Sequence, residues 1–572
     1  MKIYGLISIC IVLLSMSDFA SHYPTDAFVS PVNREMKLSG TFGELRSNHF
    51  HAGLDIKSLN QVSGDPIYAT GDGHISRIRI DAHGYGNAIY IDHPNGFTSL
   101  YGHLDKLAPE IESYVKEQQY MQKSFEVDLY PGTRFPVSKA QLIAYMGNTG
   151  HSYGPHLHFE IRHTQGQIPI NPLHFGFDVA DKRPPVVQNL VVYQYDELGQ
   201  LLHTGLYQPK WQSVGVYSIP NKIQVSAAKV AFGLRTYDTQ DGGTNQNGIY
   251  SINCKADNEP SFAFALDEMP FEDTRYMNAH IDYKLKVNQN LFTHRCHPLE
   301  GNKLPIYFTN GDKGKFAINR EFPRSFSFAI ADFKGNISRL NFEVVKSPEL
   351  APIAIPPTKY TVLGEPSEVT IINQPGVQII WPEGSFYEKT PIKLVTTPIV
   401  KGESFSPYYE ISPFDVPVHT FFEVSIDGLG VPANLQSKAF IARCEPNGST
   451  INCGGTWIGN NLTTGVRQMS QYTIMVDTIA PKISTAYFSS VMTGWERMSF
   501  RISDNVRVRD KGRDLIYNAY VDGEWILMEL DGKSGLISHR FDGKIKPGVH
   551  SLMIVVTDDR GNEGVLQKTF TL

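Results

Sequence analysis

From about residue 183 onward, the chain consists of short β-rich runs broken by Gly, Pro, Asn and Asp. Short strands separated by turn-forming residues are typical of antiparallel β-sandwiches, in which tight turns join the strands. The chain has 572 residues, whereas a single hydrophobic core rarely grows past about 250 to 300 residues. We therefore expect an all-β protein made of several domains.

Two stretches of this region repeat the same order of landmarks: an opening proline, an aspartate within the unit and a closing Asp-x-x-Gly-Asn turn. They are Pro184, Asp238 and 332–336 in one stretch, and Pro481, Asp504 and 558–562 in the other. Both resemble bacterial immunoglobulin-like domains, expected at 183–347 and 480–572, with a β-rich middle domain at 356–478 between them. The closing turns could bind calcium, but a hairpin turn requires the same residues, and we favour that structural interpretation.

Two short motifs before this region have the spacing of metal ligands: His51-Ala-Gly-Leu-Asp55 and His156-Leu-His158. A catalytic zinc site takes three nitrogen or oxygen ligands and leaves a fourth position open. Polar and apolar residues alternate strictly from His156 onward, so a strand would place both histidines on one face. Gly53 disfavours a helix, which places His51 and Asp55 at a strand end or turn. The spacing predicts an open zinc site.

These motifs, together with 99–103 (Ser-Leu-Tyr-Gly-His) and 147–150 (Gly-Asn-Thr-Gly), resemble the lysostaphin-type (LytM-like) zinc metallopeptidases. The resemblance runs from about residue 42 to 172 and implies an antiparallel β-sheet peptidase domain, which we place at 18–178. It implies the following roles: His51, Asp55 and His158 hold one Zn²⁺, while His103 and His156 are the catalytic histidines that do not bind metal.

The mechanism implied by the resemblance is hydrolysis without a covalent intermediate, in which zinc activates a water and polarises a peptide carbonyl. We assign His156 as the general base, and His103 as the group that stabilises the oxyanion or protonates the leaving amine. The two assignments could be exchanged. The implied substrate is the peptide cross-links of bacterial peptidoglycan, so the leading hypothesis is an exported zinc metalloendopeptidase.

Two alternatives remain open. One is a catalytically silent regulator of the same fold that binds a cell-wall amidase or a division partner, although retention of all five residues argues against it. The other is an enzyme held inactive by a blocking segment. The stretch from Ala108 to Pro136, which departs from the family pattern, is a candidate blocker, as is a downstream domain. We expect a short helix after Pro109 and a groove-lining role for this insertion.

The remaining features concern location, partners and cysteines. Met1-Lys2 precedes an apolar run to Met16 that is too short to span a bilayer, which predicts a signal peptide at 1–17 and export to the periplasm, cell envelope or medium. With 52 basic and 58 acidic residues, no nucleic-acid partner is indicated, and no integral membrane segment is expected after cleavage. Exposed sandwich edges are candidate docking sites for a cell-envelope protein.

Four cysteines remain after the leader, and we favour the disulfide pairs Cys254–Cys296 and Cys444–Cys453.

Overall fold

A computed structural model describes residues 23–319, 322–351, 353, 359–399, 402–509 and 515–572. The signal peptide expected at 1–17 lies outside these residues. The protein is all-β, as predicted, and most of its strand pairs are antiparallel. We refer to residues 23–179 as the front region, 183–347 as the second region, 359–477 as the third region and 480–572 as the C-terminal region.

The front region is built on one sheet of eleven described strands, whose main path runs β1-β2-β10-β6-β5-β4-β7. Its apolar faces enclose a core that includes Leu157, Phe159 and Ile161 from the alternating segment. The elements are β1 (Leu38–Gly40), β2 (Leu54–Lys57), β3 (Pro66–Tyr68), β4 (Gly73–Ile80), β5 (Asn87–Asp92), β6 (Phe97–Leu107), α1 (Pro109–Gln122), β7 (Val127–Leu129), β8 (Pro136–Val137), β9 (Leu142–Met146), β10 (His156–His163), β11 (Pro169–Ile170) and a 3-10 turn (Pro172–Phe175).

The second region is a sandwich of a five-stranded and an eight-stranded sheet, counted over its described residues. Leu190 and Phe232 of one sheet pack against Phe328 and Phe342 of the other. The elements are β12 (Val186–Tyr195), β13 (Leu201–Tyr207), β14 (Lys210–Ser213), β15 (Val216–Ser218), β16 (Ile223–Val225), β17 (Lys229–Tyr237), β18 (Ser251–Ala256), β19 (Glu259–Ala265), a 3-10 turn (Thr274–Tyr276), α2 (Met277–His280), α3 (Tyr283–Gln289), β20 (His294–Arg295), β21 (Tyr307–Thr309), β22 (Phe316–Ala317), β23 (Arg324–Ala331) and β24 (Ile337–Lys346).

The third region also has two sheets, which face each other across the fully buried Trp381 and Tyr472. The elements are β25 (Val362–Gly364), β26 (Thr370–Gln374), β27 (Val377–Trp381), β28 (Thr390–Thr397), β29 (Tyr408–Ser412), β30 (Phe422–Asp427), a 3-10 segment (Ala433–Lys438), β31 (Ala439–Cys444), β32 (Thr450–Asn452), β33 (Thr456–Ile458), β34 (Asn461–Val466) and β35 (Gln471–Val476).

The C-terminal region packs two four-stranded sheets, with Phe500 and Ile554 meeting in its core. Only β38 leaves these sheets among the described strands, because it pairs in parallel with β32 of the third region. The elements are β36 (Lys482–Tyr487), β37 (Arg497–Ser503), β38 (Arg507–Val508), β39 (Leu515–Val521), β40 (Glu524–Ile526), β41 (Glu529–Asp531), β42 (Leu536–Arg540), β43 (Val549–Asp558) and β44 (Glu563–Thr571).

Neither disulfide expected from the sequence is formed in the structure. Cys254, Cys296 and Cys444 are free thiols, and the first two are buried in the apolar core of the second region. Burial raises the pKa of the thiols of Cys254 and Cys296. An even cysteine count permits pairing but does not require it, because a thiol also packs as a small apolar group.

The insertion after Pro109 contains the helix that the sequence predicts, α1, and it contacts the C-terminal region. Lys116 pairs with Asp542 at 2.8 Å, and the ring of Tyr120 meets that of Trp525 edge-on at 5.5 Å. The ammonium of Lys544 lies 3.1 Å from the centroid of the same tyrosine ring. The helix therefore serves as a docking surface for the C-terminal region.

Among the described helices, none has the length and apolar character that a membrane span requires.

Candidate metal centre and its surroundings

Three side chains predicted as metal ligands bring their donor atoms together in the front region. Nε2 of His51 and Nδ1 of His158 are 3.1 Å apart, and each lies 3.0 Å from Oδ1 of Asp55. Ligands placed about 2.1 Å from a tetrahedral zinc are about 3.4 Å apart, so this triangle is close to the size of one face of such a site. The three buried residues fit a metal ion.

Strand pairing produces the triangle. In the antiparallel pair β2–β10, Asp55 lies directly opposite His158, while His51 precedes β2 and contacts Asp55 within it. Gly53 permits this close approach, since a Cβ at this position would lie 2.3 Å from the carbonyl oxygen of Phe159. The glycine of the first motif therefore has a packing role as well as a conformational one.

Glu160 orients the candidate ligand His158. Its Oε1 lies 2.7 Å from Nε2 of His158 and accepts a hydrogen bond of 2.7 Å from the hydroxyl of Tyr85. Its other oxygen accepts from Nε of Arg162 at 2.7 Å. An imidazole whose Nε2–H points at a carboxylate presents its Nδ1 lone pair to a metal, as is common at metal sites.

Thr41 orients the candidate ligand His51 and is itself linked to the second region. The carbonyl oxygen of Thr41 accepts a hydrogen bond of 2.8 Å from Nδ1 of His51, which leaves Nε2 as the donor atom of the triangle. The hydroxyl of Thr41 accepts a 3.0 Å hydrogen bond from the backbone N–H of Gly248. The second region therefore helps to hold one candidate ligand in place.

Arg46 binds the oxygen of Asp55 that points away from the triangle, at 2.7 Å. This contact fixes the carboxylate so that Oδ1 faces His51 and His158. Although burial opposes ionisation, the neighbouring histidines His51, His156 and His158 hold the pKa of Asp55 well below its usual value. The carboxylate is therefore ionised at neutral pH.

The two histidines predicted as catalytic groups lie beside the triangle. The rings of His103 and His156 meet with centroids 4.7 Å apart, and Nε2 of His156 is 3.5 Å from Oδ1 of Asp55. Each ring donates from Nδ1 to a backbone carbonyl at 2.8 Å, His103 to Thr149 and His156 to Gly154. Each Nε2 is therefore free to accept a proton in the neutral ring.

His103 combines an unusual backbone with a shifted pKa. Its φ is 61°, in the left-handed region that residues other than glycine rarely adopt and that is often found at functional sites. Burial, together with the nearby His158 and His156, lowers the pKa of His103 to about 3. Its imidazole is therefore neutral at pH 7. In contrast, hydrogen bonds to Asp55 and Glu160 outweigh burial and raise the pKa of His158 to about 9.

The loop that supports the two histidines predicted as catalytic is held in place by the C-terminal region. Lys533, between β41 and β42, donates its ammonium to the carbonyl oxygens of Asn148 and Ser152. These residues flank Thr149, which orients His103. Ser152 also places its hydroxyl 3.2 Å from Nδ1 of His156. The C-terminal region thus reaches the edge of the candidate site.

All five residues singled out in the sequence come together, whereas several supporting residues were not predicted. Glu160 and Arg162 share the alternation that placed the histidines on one face, so the same pattern could have identified them. Thr41 and Lys533 gave no such signal, because their partners are distant in sequence. Among the described residues, α1 makes no hydrogen bond or ion pair with the five site residues, so its contacts do not support the groove-lining role expected for it.

The remaining histidines of the front region have structural or peripheral positions. His93, for example, is buried and bridges the carbonyl oxygen of Asp72 and the hydroxyl of Ser99, each at 2.8 Å. Tyr101 is fully buried, and its hydroxyl accepts from the backbone N–H of Thr70. Both His93 and Tyr101 therefore have structural roles in the core of the front region.

Comparison with known proteins identifies two segments. Residues 49–172 match the model of Peptidase family M23, and residues 365–477 match that of the Zu5-like domain. The first segment contains all five site residues and the second coincides with most of the third region. The lysostaphin-type resemblance inferred from the motifs is confirmed for the front region.

Individual relatives share this front segment. The chain is 32% identical to the DD-carboxypeptidase/endopeptidase Mpg of Neisseria meningitidis over 24% of this chain and 26% of that protein. It is 35% identical to the murein hydrolase activator NlpD of Escherichia coli over 25% of this chain and 29% of that protein. A solved zinc-containing peptidase from Vibrio cholerae is 25% identical, with 27% of this chain and 40% of that chain covered and a TM-score of 0.19. The chain thus spans about a quarter of the length of the curated relatives it matches.

Proposed function

We propose that this chain, whose residues 49–172 form a peptidase family M23 domain, is a zinc metalloendopeptidase that cleaves peptide cross-links in bacterial peptidoglycan. The observation that carries the proposal is the triangle of donor atoms from His51, Asp55 and His158, with two further imidazoles beside it. Two nitrogen donors and one carboxylate oxygen form a ligand set that suits zinc and leaves a fourth position for water or substrate.

We assign His51 Nε2, Asp55 Oδ1 and His158 Nδ1 as the ligands of one Zn²⁺. The hydrogen bonds described above support this choice, because Thr41 and Glu160 each occupy the other nitrogen of a ligand imidazole. When bound, zinc would lower the pKa of a coordinated water and polarise the scissile carbonyl.

His103 and His156 would move the protons of the reaction. Peptide hydrolysis removes a proton from water and delivers one to the leaving amine, and both rings carry an Nε2 atom that can accept and then donate a proton. We assign His156 as the first acceptor by position, since its Nε2 lies 3.5 Å from Oδ1 of the candidate ligand Asp55. His103 would then stabilise the oxyanion or serve the leaving amine. The two roles remain exchangeable, because the backbone carbonyls hold both rings in the same tautomer.

The substrate and location rest on the relatives. Mpg is named as a DD-carboxypeptidase/endopeptidase, and a further relative, ShyA of Vibrio cholerae, is named as a peptidoglycan DD-endopeptidase. We therefore propose export through the leader at 1–17 and action in the cell envelope. We also propose that the domain boundaries are those expected from the sequence, with the sandwiches positioning the peptidase or recruiting an envelope protein.

A second candidate is a non-catalytic regulator of a cell-wall amidase. It is favoured by the 35% identity to a protein named as a murein hydrolase activator. The complete set of candidate ligands and catalytic histidines favours the enzyme, because a binding protein has no need for two further imidazoles beside a metal triangle.

The deciding experiment incubates the zinc-loaded mature chain with purified peptidoglycan, with and without a chelator, and identifies released muropeptides by mass spectrometry. Chelator-sensitive loss of cross-linked dimers would support the endopeptidase and identify the bond cut. A metal-replete His103→Ala protein is the matched control and should release muropeptides at least about 100-fold more slowly. Intact cross-links despite bound zinc would favour the regulator. Trp525→Ala, which weakens the contact on α1, would reveal an enzyme blocked by its C-terminal region if this variant alone were active.

A further inference from the structure

Two clusters of three aspartates lie outside the candidate zinc centre. In each cluster, one carboxylate oxygen from every member lies within 4.8 Å of the other two. The members are Asp181, Asp238 and Asp332 at the second region, and Asp477, Asp504 and Asp558 at the C-terminal region.

The two clusters occupy the same places in their sandwiches. The first aspartate of each lies in the segment that enters the sandwich, before β12 or β36. The second follows the end of β17 or β37, and the third begins the turn before the last strand, β24 or β44. The two sequence repeats therefore place their aspartates at equivalent positions in the fold. In each sandwich the fold brings together residues that are distant in sequence, such as Asp181 and Asp332.

A hairpin turn accounts for only the third aspartate of each cluster. Asn336 donates from its backbone and its side chain to Asp332 at 2.9 and 2.7 Å, and Asn562 does the same to Asp558 at 2.8 and 2.7 Å. This turn does not require two more carboxylates to face it. The structural interpretation favoured from the sequence therefore leaves the first two members unexplained.

Buried oxygens in both clusters lack a hydrogen-bond partner within the described part of the chain. They are Oδ1 of Asp238, Oδ2 of Asp477 and Oδ1 of Asp504. Asp238 and Asp477 are only 4% and 2% exposed. Asp238 and its neighbours line a small cavity of about 30 Å³, which also includes Asn247, whose Oδ1 is likewise without a partner. A buried ionised carboxylate without a partner is costly unless a cation compensates it.

Within the described part of the chain, no basic side chain compensates these carboxylates. Among the described residues, no lysine or arginine forms an ion pair with any of the six aspartates, although Arg183 pairs with the neighbouring Asp241. Burial and the adjacent carboxylates of Asp181 and Asp332 raise the pKa of Asp238 to about 8. The clusters are therefore destabilised by mutual repulsion unless they share protons or bind a positive ion.

We propose that each cluster binds one Ca²⁺ ion, so that the chain carries two calcium sites in addition to the zinc site. Calcium takes six to eight oxygen ligands at about 2.3 to 2.6 Å, so two of its ligands are at most about 5 Å apart, as the clusters provide. Carboxylate oxygens without nitrogen or sulfur suit calcium rather than zinc. Magnesium fits less well because it requires a tighter octahedron and retains its waters.

The ions would stiffen two junctions between regions. Asp181 lies between the front and second regions, and Asp477 is the last residue of the third region, directly before the C-terminal region. Each would be tied by calcium to the sandwich that follows it. The second tie would fix the C-terminal region, which contacts α1 and braces the loop at the candidate active site through Lys533. Calcium would therefore act on domain orientation without entering the hydrolytic reaction.

The test is equilibrium dialysis of the zinc-loaded, full-length mature chain against ⁴⁵Ca²⁺. Concentrations should reach about 5 mM, because extracellular calcium modules often have a Kd of roughly 0.1 to 1 mM. We expect two calcium ions per chain, with magnesium competing at least about tenfold more weakly. Asp238→Asn and Asp504→Asn preserve side-chain size and should each leave one ion bound.

Asp241→Asn is the matched control, since this aspartate follows β17 closely but lies outside the cluster, and it should retain two ions. Limited proteolysis gives a second readout, in which calcium should slow cleavage at 180–185 and 477–481 in the unmodified chain. No calcium bound to the unmodified chain at 5 mM would overturn the proposal, whatever the variants do. Two ions retained by both cluster variants would overturn it as well, because the sites would then lie elsewhere.

Discussion

Nε2 of His158 lies 2.7 Å from Oε1 of Glu160, a carboxylate that is completely buried. Glu160 belongs to the same face of β10 as the two motif histidines, two residues beyond the second. The ion pair with Arg162 helps to hold its pKa at about 2 despite burial, so the carboxylate is ionised and remains available to orient the imidazole.

Replacing Glu160 with Gln should weaken zinc binding about 10- to 100-fold, the range typical for loss of a group that orients a metal-bound histidine. The amide retains the size but loses the charge that orders His158 and balances Arg162. Competition with a chromophoric chelator measures the affinity. Glu35→Gln, at an exposed glutamate of the same region, is the control. Unchanged affinity in a folded Glu160→Gln protein would contradict this role.

The roles proposed for two histidines can be separated. His103→Ala should retain zinc and lose turnover by about 10² to 10⁴-fold, because it removes a proton-transfer group but no ligand. His158→Ala should lose the metal as well. Metal analysis and muropeptide release, measured on the same preparations, check both. A fully active, metal-replete His103→Ala protein would refute the assignment.

Gly53→Ala should disrupt the metal centre from the first motif. The new Cβ would lie 2.3 Å from the carbonyl oxygen of Phe159, which forces β2 away from β10 and separates Asp55 from His158. We expect loss of stoichiometric zinc together with a lower melting temperature. Gly311→Ala is the control, because its new methyl group has no heavy atom within 4 Å. It should change neither the zinc content nor the melting temperature. Normal zinc content in Gly53→Ala would show that the strands can part without cost.

Lys533→Met should lower kcat with little change in zinc affinity. The substitution removes the ammonium that binds the carbonyls of Asn148 and Ser152, so the loop that orients His103 becomes looser. Steady-state release from a soluble cross-linked peptide measures the effect. Lys546→Met is the control, because the ammonium of this lysine donates to the carbonyl oxygen of Gly543 in its own turn. A rise in kcat would instead indicate that the C-terminal region restrains the enzyme.

The second region should lose stability in acid. Burial lowers the pKa of His280, His294 and His297, to about 3 for His294, so the folded state keeps these rings neutral while the unfolded chain protonates them below about pH 6.5. Since the unfolded state binds more protons, stability falls as pH drops below about 6.5, by at most roughly 1.4 kcal/mol per pH unit for each ring.

Hydrogen exchange of the amides in β17 and β20, followed from pH 7.5 to 5 and corrected for intrinsic rates, measures this loss. His294→Gln should reduce the pH dependence, whereas His203→Gln, at an exposed position, should not. A pH-independent opening free energy would show that these rings titrate alike in both states.

Local patterns predicted the elements that a few neighbouring residues determine. The alternation from His156 gave β10, and Pro109 gave the start of α1, because side-chain direction and the missing proline N–H act within a turn or two. The disulfides were predicted wrongly, since a count of cysteines says nothing about whether buried thiols such as Cys254 and Cys296 are positioned to bond.

By itself, the sequence determined the β-rich character of the chain, the motifs that match peptidase family M23 and the five residues that come together in the front region. Only the tertiary structure decided the long-range contacts. Gly248 donates a hydrogen bond to Thr41, and Lys533 donates one to Ser152, 381 positions away in sequence. Asp181 and Asp238 likewise lie close to Asp332. The physical reason is that a strand's period and a glycine's freedom are local properties. Contacts between sandwiches depend instead on how whole sheets pack, which no short pattern records.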